Sequence, residues 1–309
     1  AFDEKNLEFA AINDLANLEN LAYLLKYDSV YRVFPREVST KTNGGKNYLV
    51  VDGREILVIQ EEDPGKLPWK DLKIDIVVEA TGAFESYEEA RAHIRAGAKK
   101  VALTAPAKDP DTRDAKTILI GVNDRETRGA VLTSNGSCTT NAASPVIQIM
   151  SENPGIKKAV LNTVHGYTAT QNLVDGPARG KDFRRGRAAG QNIVPSTTGA
   201  ATAVTRAIPE LTGKFDGISM RVPVISGSIA DITFLACRKT SAEEINNILE
   251  KAAKDPRWRG ILKVTKDQIV SSDIIGEPYG AIIDLKFTKV IDGDLVKVLS
   301  WYDNEYGYA

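Results

Sequence analysis

The sequence predicts an α/β protein: a doubly wound parallel sheet that lacks its first strand, followed by an α+β domain with a mixed or antiparallel sheet. Three observations predict this. The first half alternates strand-like and helix-like segments. The second half carries more strand candidates than helices. The 309 residues exceed what one hydrophobic core usually fills.

Taken in order, Glu8 to Asn13 has the composition of a strand. Leu18, Leu21, Ala22 and Leu25 follow with the i, i+3, i+4, i+7 spacing of one helix face. Tyr48 to Val51 and Glu55 to Ile59 flank Asp52-Gly53 and predict a hairpin. Ile74 to Glu79 is a short, mostly apolar run, as in a buried parallel strand. Ser86 to Ala96 reads as a helix and Lys100 to Thr104 as the next strand, which completes a βαβ alternation. Beyond Cys138, strands are expected at Lys158–His165, Gly217–Pro223, Ser228–Ala236, Ala281–Lys289 and Leu295–Trp301. Helices are expected at Thr198 to Ala207 and at Ser241 to Lys254, the latter with Ile245, Ile248, Leu249 and Ala252 on one face. The expected division is 1–137 for a dinucleotide-binding domain and 138–300 for a second domain, with 301–309 starting a segment that returns to the first.

Composition narrows the function. A net charge of −1 gives no field toward nucleic acid or a membrane surface. No apolar run approaches the ~20 residues that span a bilayer. Two cysteines cannot build a disulfide framework, which fits a reducing, cytoplasmic setting. Two histidines and no Cys-x-x-Cys or His-Glu-x-x-His spacing argue against a metal site.

The chemistry gathers around Cys138. It sits in Ser134-Asn135-Gly136-Ser137-Cys138-Thr139-Thr140-Asn141, and His165 follows 27 residues later in Val164-His165-Gly166-Tyr167-Thr168. Asn135, Gly136 and Ser137 read as a turn leading into a helix cap, which puts Cys138 in the first helical turn. Exposed backbone N–H groups and the helix dipole favour an anion there. An imidazole close in space would complete the activation of the thiol as a nucleophile. His93, on the helix Ser86 to Ala96, is expected at the surface, and Cys237, at the end of a strand, is expected to pack.

A dinucleotide fold needs a Gly-rich turn after its first strand and an acidic residue about 20 residues on. Asp14 is placed to be that acid, with capping of the following helix as the other reading. Only 13 residues precede it and no G-x-G-x-x-G occurs. The loop is therefore expected upstream of Ala1, and Trp301 to Ala309 ends as abruptly, so a sequence truncated at both ends is expected.

The Cys138 and His165 segments do not stand alone. Asp182-Phe183-Arg184-Arg185-Gly186-Arg187-Ala188-Ala189, Pro195-Ser196-Thr197-Thr198-Gly199-Ala200-Ala201, Met220-Arg221-Val222-Pro223 and Trp301-Tyr302-Asp303-Asn304-Glu305 accompany them, in order. Together they resemble phosphorylating glyceraldehyde-3-phosphate dehydrogenase over essentially the whole chain. The resemblance implies a Rossmann-type NAD-binding domain and a glycolytic enzyme that oxidises and phosphorylates glyceraldehyde 3-phosphate. Cys138 would attack the aldehyde, His165 would act as base, and a thioester on Cys138 would be cleaved by inorganic phosphate.

By resemblance, Thr168 and Arg221 hold the substrate phosphate. Ser137, Thr139, Thr198 and Gly199 hold the attacking phosphate, with Arg185 shared or nearby. Arg184 and Arg187 are also compatible with a solvated basic loop. Asp14 would meet the adenosine ribose, and Thr81, Gly82 and Thr104 would fall at strand ends facing the cofactor. Phe84 would line the adenine side, Asn304 would orient the nicotinamide and Tyr308 would pack near its ring. An acid at position 14 repels a 2′-phosphate, which favours NAD over NADP. The family also implies a homotetramer. Two other readings stay open: erythrose-4-phosphate dehydrogenase, which a requirement for inorganic phosphate would exclude, and a non-catalytic binding protein that has lost the Gly-rich loop.

Overall fold

The computed structural model describes residues 2–178 and 180–309. They form two compact units, Ala1–Ala102 and Leu103–Ala309.

In the first unit, β1 (Ala11–Asn13) leads to α1 (Leu18–Lys26). Its cap is Asn17, whose side chain accepts from the Asn20 N–H. Asp14 therefore does not cap this helix; its Oδ1 accepts from the Ala16 N–H at 2.8 Å and the side chain is exposed. Two short strands, β2 (Tyr27–Asp28) and β3 (Arg32–Val33), pair as a hairpin. Then β4 (Val38–Asn43), β5 (Lys46–Val51) and β6 (Arg54–Ile59) form an antiparallel meander. The predicted hairpin is there: Asp52 and Gly53 both have positive φ, at 48° and 77°, as a tight two-residue turn between twisted strands demands. β1 joins this sheet in parallel beside β6. Leu18 and Ala22 of α1 bury against Leu49, Val51 and Val58.

β7 (Ile76–Glu79) is followed by α2 (Tyr87–Arg95) and β8 (Lys100–Leu103). α2 starts in a capping box, in which Ser86 Oγ accepts from the Glu89 N–H and the Glu89 carboxylate accepts from the Ser86 N–H. His93 is not at the surface. It is 4% exposed, because the inward face of α2 lies over Trp69 and Glu79.

The second unit starts with β9 (Ala115–Thr117) and β10 (Leu132–Ser134), a parallel pair. The division falls at 102/103, upstream of the expected 137/138. Residues 103–137 are fastened to the rest of this unit: Arg206 donates to the Ala107 carbonyl, Arg257 to the Gly121 carbonyl, and Tyr308 to Asn135. Next come α3 (Cys138–Glu152), β11 (Ile156–Gly166), β12 (Val194–Thr197), α4 (Ala200–Ala207), β13 (Phe215–Val222) and β14 (Ser228–Ala236). They are followed by α5 (Ala242–Ala252), β15 (Leu262–Thr265), β16 (Ala281–Asp284), β17 (Lys289–Ile291) and β18 (Leu295–Tyr302). The strand expected over Ala281–Lys289 is two strands, because Asp284 accepts from the Lys286 N–H and the chain turns there.

The large sheet is mixed, in the order β12-β13-β11-β14-β18-β16-β15, with β17 beside β18. β11 runs parallel to β13 and antiparallel to β14. In β14, Ser228, Ala230, Ile232, Phe234 and Ala236 are buried in strict alternation, the period of a strand with one face on a core. Ala142, Ala143, Val146, Ile147 and Met150 of α3, Val204 of α4 and Leu249 of α5 belong to the same cluster. Each large side chain buried here stabilises the unit by ~1.5–3 kcal/mol. The result is an α/β fold that anchors α3 against the sheet, with its N-terminus beside the end of β11.

Candidate active site

Cys138 is the first residue of α3, and the turn before it is fixed from several sides. Ser137 Oγ accepts from the Thr140 N–H and Thr140 Oγ1 accepts from the Ser137 N–H, each at 3.1 Å. Asn141 donates its side-chain amide to the carbonyls of Asn135 and Ser137, at 2.8 and 2.9 Å. Gly136 has φ 70°, a conformation that costs other residues strain. The Tyr308 hydroxyl reaches Asn135 Oδ1 at 2.7 Å and the Gly136 carbonyl at 2.9 Å. The sequence suggested Tyr308 as a packing partner for the cofactor ring; its hydroxyl holds the turn before Cys138. Burial raises the pKa of this phenol.

His165 lies on β11, one residue before the strand ends, and is buried. Its Nε2 is 3.3 Å from Cys138 Sγ. Its Nδ1 is 2.7 Å from the Gly166 carbonyl and 2.6 Å from Arg221 Nη1, which also donates to that carbonyl at 3.1 Å. The parallel register of β11 and β13 sets His165 opposite Arg221. The Nδ1–H tautomer donates to Gly166 and leaves Nε2 free to accept the thiol proton. The other tautomer accepts from Arg221 and points Nε2–H at the sulfur. The Tyr302 ring meets the imidazole edge-on at 5.9 Å.

The electrostatics are finely set. Burial pushes the Cys138 thiol up, against the Thr139 N–H and the charge of Arg221, which pull it down. Burial first, and then Arg221, lowers His165 to about 4. With a neutral partner each group therefore keeps its neutral form, so the helix start alone does not make the expected thiolate. Moving the proton from Sγ to Nε2 creates opposite charges 3.3 Å apart, and the two groups titrate as a pair.

Behind the pair runs a line of hydroxyls with a defined direction. Thr163 Oγ1 donates to the Ile229 carbonyl at 3.3 Å, so it accepts from the Tyr302 hydroxyl at 2.7 Å. Tyr302 in turn accepts from Thr139 Oγ1 at 2.8 Å. Thr139 thus spends its hydroxyl proton inward, and its backbone N–H is the donor left toward Cys138. Tyr302 is 1% exposed, and nothing in its sequence neighbourhood marked it for this role beyond the Trp-Tyr-Asp-Asn-Glu run.

The remaining expected residues are placed as follows. Arg185 donates to Thr170 Oγ1 at 3.1 Å and to Ser196 Oγ at 2.7 Å, and it is close enough to Arg221 for their charges to repel. Arg184 and Arg187 are spent on Asp182 and Asp175 at the surface, at 2.7 and 2.8 Å. Thr168 Oγ1 bonds to Thr170 Oγ1 at 3.0 Å. Thr198 Oγ1 accepts from the Ala200 N–H at 3.2 Å, and exposed Gly199 caps α4 without a side-chain bond. Cys237 is exposed, not packed; it lies just past β14, where the sheet no longer covers it.

Asn304 is buried, and its Oδ1 accepts from the Gly227 N–H at 3.1 Å and from Ser228 Oγ at 2.8 Å. Ser228 itself accepts from the Gly166 N–H at 3.2 Å. This fixes the amide, and its NH2 group makes no hydrogen bond among the described residues. Asp303, which sequence reasoning quoted without a role, accepts from Ser226 Oγ and from the N–H groups of Gly276, Glu305 and Tyr306. It sets the turn that delivers Asn304. Thr104 is half-buried directly after β8. In the first unit, Thr81 and Gly82 are exposed just after β7, Gly82 with φ 69°. Within the first unit, Asp14 and Gly82 are thus a carboxylate and a bare backbone, which suit the hydroxyls of a dinucleotide; within the second, the Asn304 amide is a donor that suits a carboxamide.

Two family profiles match the chain: "Glyceraldehyde 3-phosphate dehydrogenase, C-terminal domain" over residues 137–304, and the NAD binding domain of the same family over residues 1–87. Glyceraldehyde-3-phosphate dehydrogenase of Thermotoga maritima is 50% identical, covering 100% of this chain and 90% of that protein. The enzymes of Mycolicibacterium smegmatis and Clostridium pasteurianum are 45% and 44% identical, each covering 98% of this chain.

Proposed function

The chain belongs to the glyceraldehyde-3-phosphate dehydrogenase family, and from that premise we propose the route by which its residues oxidise and phosphorylate D-glyceraldehyde 3-phosphate to 1,3-bisphosphoglycerate. It is an NAD-dependent oxidoreductase of glycolysis. The observation that carries the route is Cys138 Sγ at 3.3 Å from His165 Nε2, at the start of a capped helix.

The thiol proton passes to His165 Nε2 as sulfur forms a bond to the aldehyde carbon, and the carbonyl electron pair moves to oxygen. His165 returns the proton to that oxygen, which gives a thiohemiacetal. NAD, when bound, would supply the acceptor for the hydride that leaves the thiohemiacetal carbon as its C–H bond breaks. His165 Nε2 takes the hydroxyl proton as the C=O bond re-forms, and Cys138 then carries a thioester. A phosphate oxygen adds to the thioester carbonyl, the C–S bond breaks, and the thiolate leaves as the acyl phosphate departs.

Arg221, beside His165, supplies a planar, permanently charged clamp for the substrate phosphate, with Thr168 as a second donor. Ser137, Thr139, Thr198, Gly199 and Arg185 would hold the attacking phosphate, with hydroxyls and a guanidinium as donors near helix starts that favour anions. Asp14, Thr81, Gly82, Thr104, Asn304 and Tyr308 would hold or frame NAD. The functional division follows 1–137 and 138–300, with 301–309 returning; the start of the matched C-terminal span at residue 137 supports the first boundary.

Two further statements belong to this reading. The protein assembles as a homotetramer, supported by the exposure of Leu173, Val174, Phe183 and Ile193 at 69–80%, within the loop from about Thr168 to Ile193, which by the family resemblance would cross a subunit interface. It works in the cytoplasm, supported by two free cysteines; among the described residues no helix is long and apolar enough to cross a membrane.

The test is NAD reduction with glyceraldehyde 3-phosphate, with and without inorganic phosphate. Turnover that needs phosphate and disappears in Cys138→Ser is expected. In Arg221→Ala the aldehyde KM should rise by at least tenfold, while the NAD KM stays within about twofold. Turnover that does not depend on phosphate would refute the acyl-phosphate step and favour simple hydrolysis of the thioester.

A further inference from the structure

The first unit holds a buried polar chain that the reaction scheme does not use. The Glu79 carboxylate, 4% exposed, closes β7. Its Oε1 accepts from both the N–H of Thr81, at 2.8 Å, and the Thr81 hydroxyl. Its Oε2 is 2.9 Å from His93 Nε2. Trp69 Nε1 donates to His93 Nδ1 at 3.0 Å, which fixes the tautomer: Nδ1 accepts, so Nε2 carries the hydrogen and donates to Glu79. Burial opposes the charge on Glu79, but the hydrogen bonds from His93 and Thr81 outweigh it and hold the carboxyl below its usual range. A buried carboxylate is tolerated only when donors surround it in this way.

The far end of the chain is the exposed loop Thr81-Gly82-Ala83. Thr81 Oγ1 gives its hydrogen to Glu79 and accepts from the Ala83 N–H at 3.1 Å. The hydroxyl therefore offers a lone pair outward and has no hydrogen left to donate. Gly82 follows at φ 69° with nothing within 4 Å of where a Cβ would sit. An acceptor next to an unobstructed backbone suits a ligand group that donates, such as a ribose hydroxyl or a purine amine.

We propose that Glu79 and His93, backed by Trp69, are positioning residues for NAD: they lock the Thr81-Gly82 turn and fix Thr81 as a hydrogen-bond acceptor for the cofactor's nucleoside. This rests on the reading of Thr81 and Gly82 as cofactor contacts. Neither Glu79 nor His93 touches the ligand; both act through Thr81. The arrangement accounts for a buried histidine on a helix far along the chain from the nucleophile, and for a carboxylate spent on a loop it could otherwise leave free.

The experiment is direct calorimetric titration of NAD into the full chain and into Thr81→Val, Glu79→Gln and the double variant, together with steady-state KM values. Thr81→Val and Glu79→Gln should each weaken NAD binding by roughly ten- to a hundredfold, the range for losing a charge-assisted bond. The double variant should be no weaker than the worse single one, because the two residues act in series. The aldehyde KM and the rate of Cys138 alkylation without NAD should stay within about twofold, which a general loss of folding would not allow. Should Glu79→Gln fail to fold, the pair His93→Gln and His93→Leu replaces it. Gln restores a donor to Glu79 and should keep NAD binding; Leu should lose it. If Thr81→Val binds NAD normally, the cofactor-loop reading fails and the inference with it. If Thr81→Val is impaired but Glu79→Gln and His93→Leu are not, or if the effects add, the inference alone is overturned.

Discussion

Replacing His165 by Asn tests the nucleophile most directly, because it removes the partner that makes Cys138 ionise. The transferred-proton state places opposite charges 3.3 Å apart, and their attraction is roughly 5 kcal/mol at an effective dielectric of ~20. At about 1.4 kcal/mol per pH unit that is worth three to four units. Part of it is offset by the cost of burying an imidazolium that alone titrates at about 4. That cost is about 2.5 units against the ordinary histidine value of ~6.5, so a net shift of about one unit follows and the thiolate fraction at neutral pH should fall by roughly tenfold. The sign follows from the site: without the pair, burial dominates and the thiol lies above its ordinary range. The assay is the second-order rate of Cys138 alkylation by iodoacetamide from pH 5 to 10, in a Cys237→Ser background because Cys237 is exposed. The wild-type profile should lie about one pH unit below the variant's. The variant rate should rise only above the ordinary thiol value of ~8.5. Superimposable profiles would show that the helix start and Arg221 activate the thiol without His165, and the argument would be wrong.

Two further outcomes are expected. Gly227→Ala should cost about 1–3 kcal/mol of stability. Gly227 has φ 93°, a Cβ there would lie 2.6 Å from the Ser271 carbonyl, and its N–H positions Asn304; thermal melts would detect the loss, and the NAD KM should rise with it. The Glu79 carboxyl is lowered on folding, so its contribution to stability is complete above the ordinary carboxylate value of ~4.3 and is lost as pH falls below it. The stability gap between wild type and Glu79→Gln should therefore be largest near neutrality and close toward pH 3, as followed by denaturant midpoints; a gap independent of pH would contradict a charged Glu79.

The sequence by itself determined what is local. Helix faces follow from 3.6-residue periodicity, the Asp52-Gly53 hairpin from turn chemistry, and the seat of Cys138 from a capping pattern that needs only its neighbours. The long strands β11, β13, β14 and β18 were legible for the same reason, since alternation records which side meets the core; the four-residue strands β12 and β15 were not, being too short to show a period. Co-occurring short motifs also carried the family and its cofactor. Tertiary structure decided whatever depends on register and packing. His165 faces Arg221 only because β11 and β13 pair in that alignment. The proton direction through Thr139, Tyr302 and Thr163 needs residues 139 and 163 positions apart. His93 looked like a surface residue because its own helix is polar; Trp69 and Glu79, brought over it by the fold, bury it and give it both of its hydrogen bonds. Burial also decided the charge state at Cys138, since a helix start attracts an anion but the desolvation that opposes it exists only once the chain has packed.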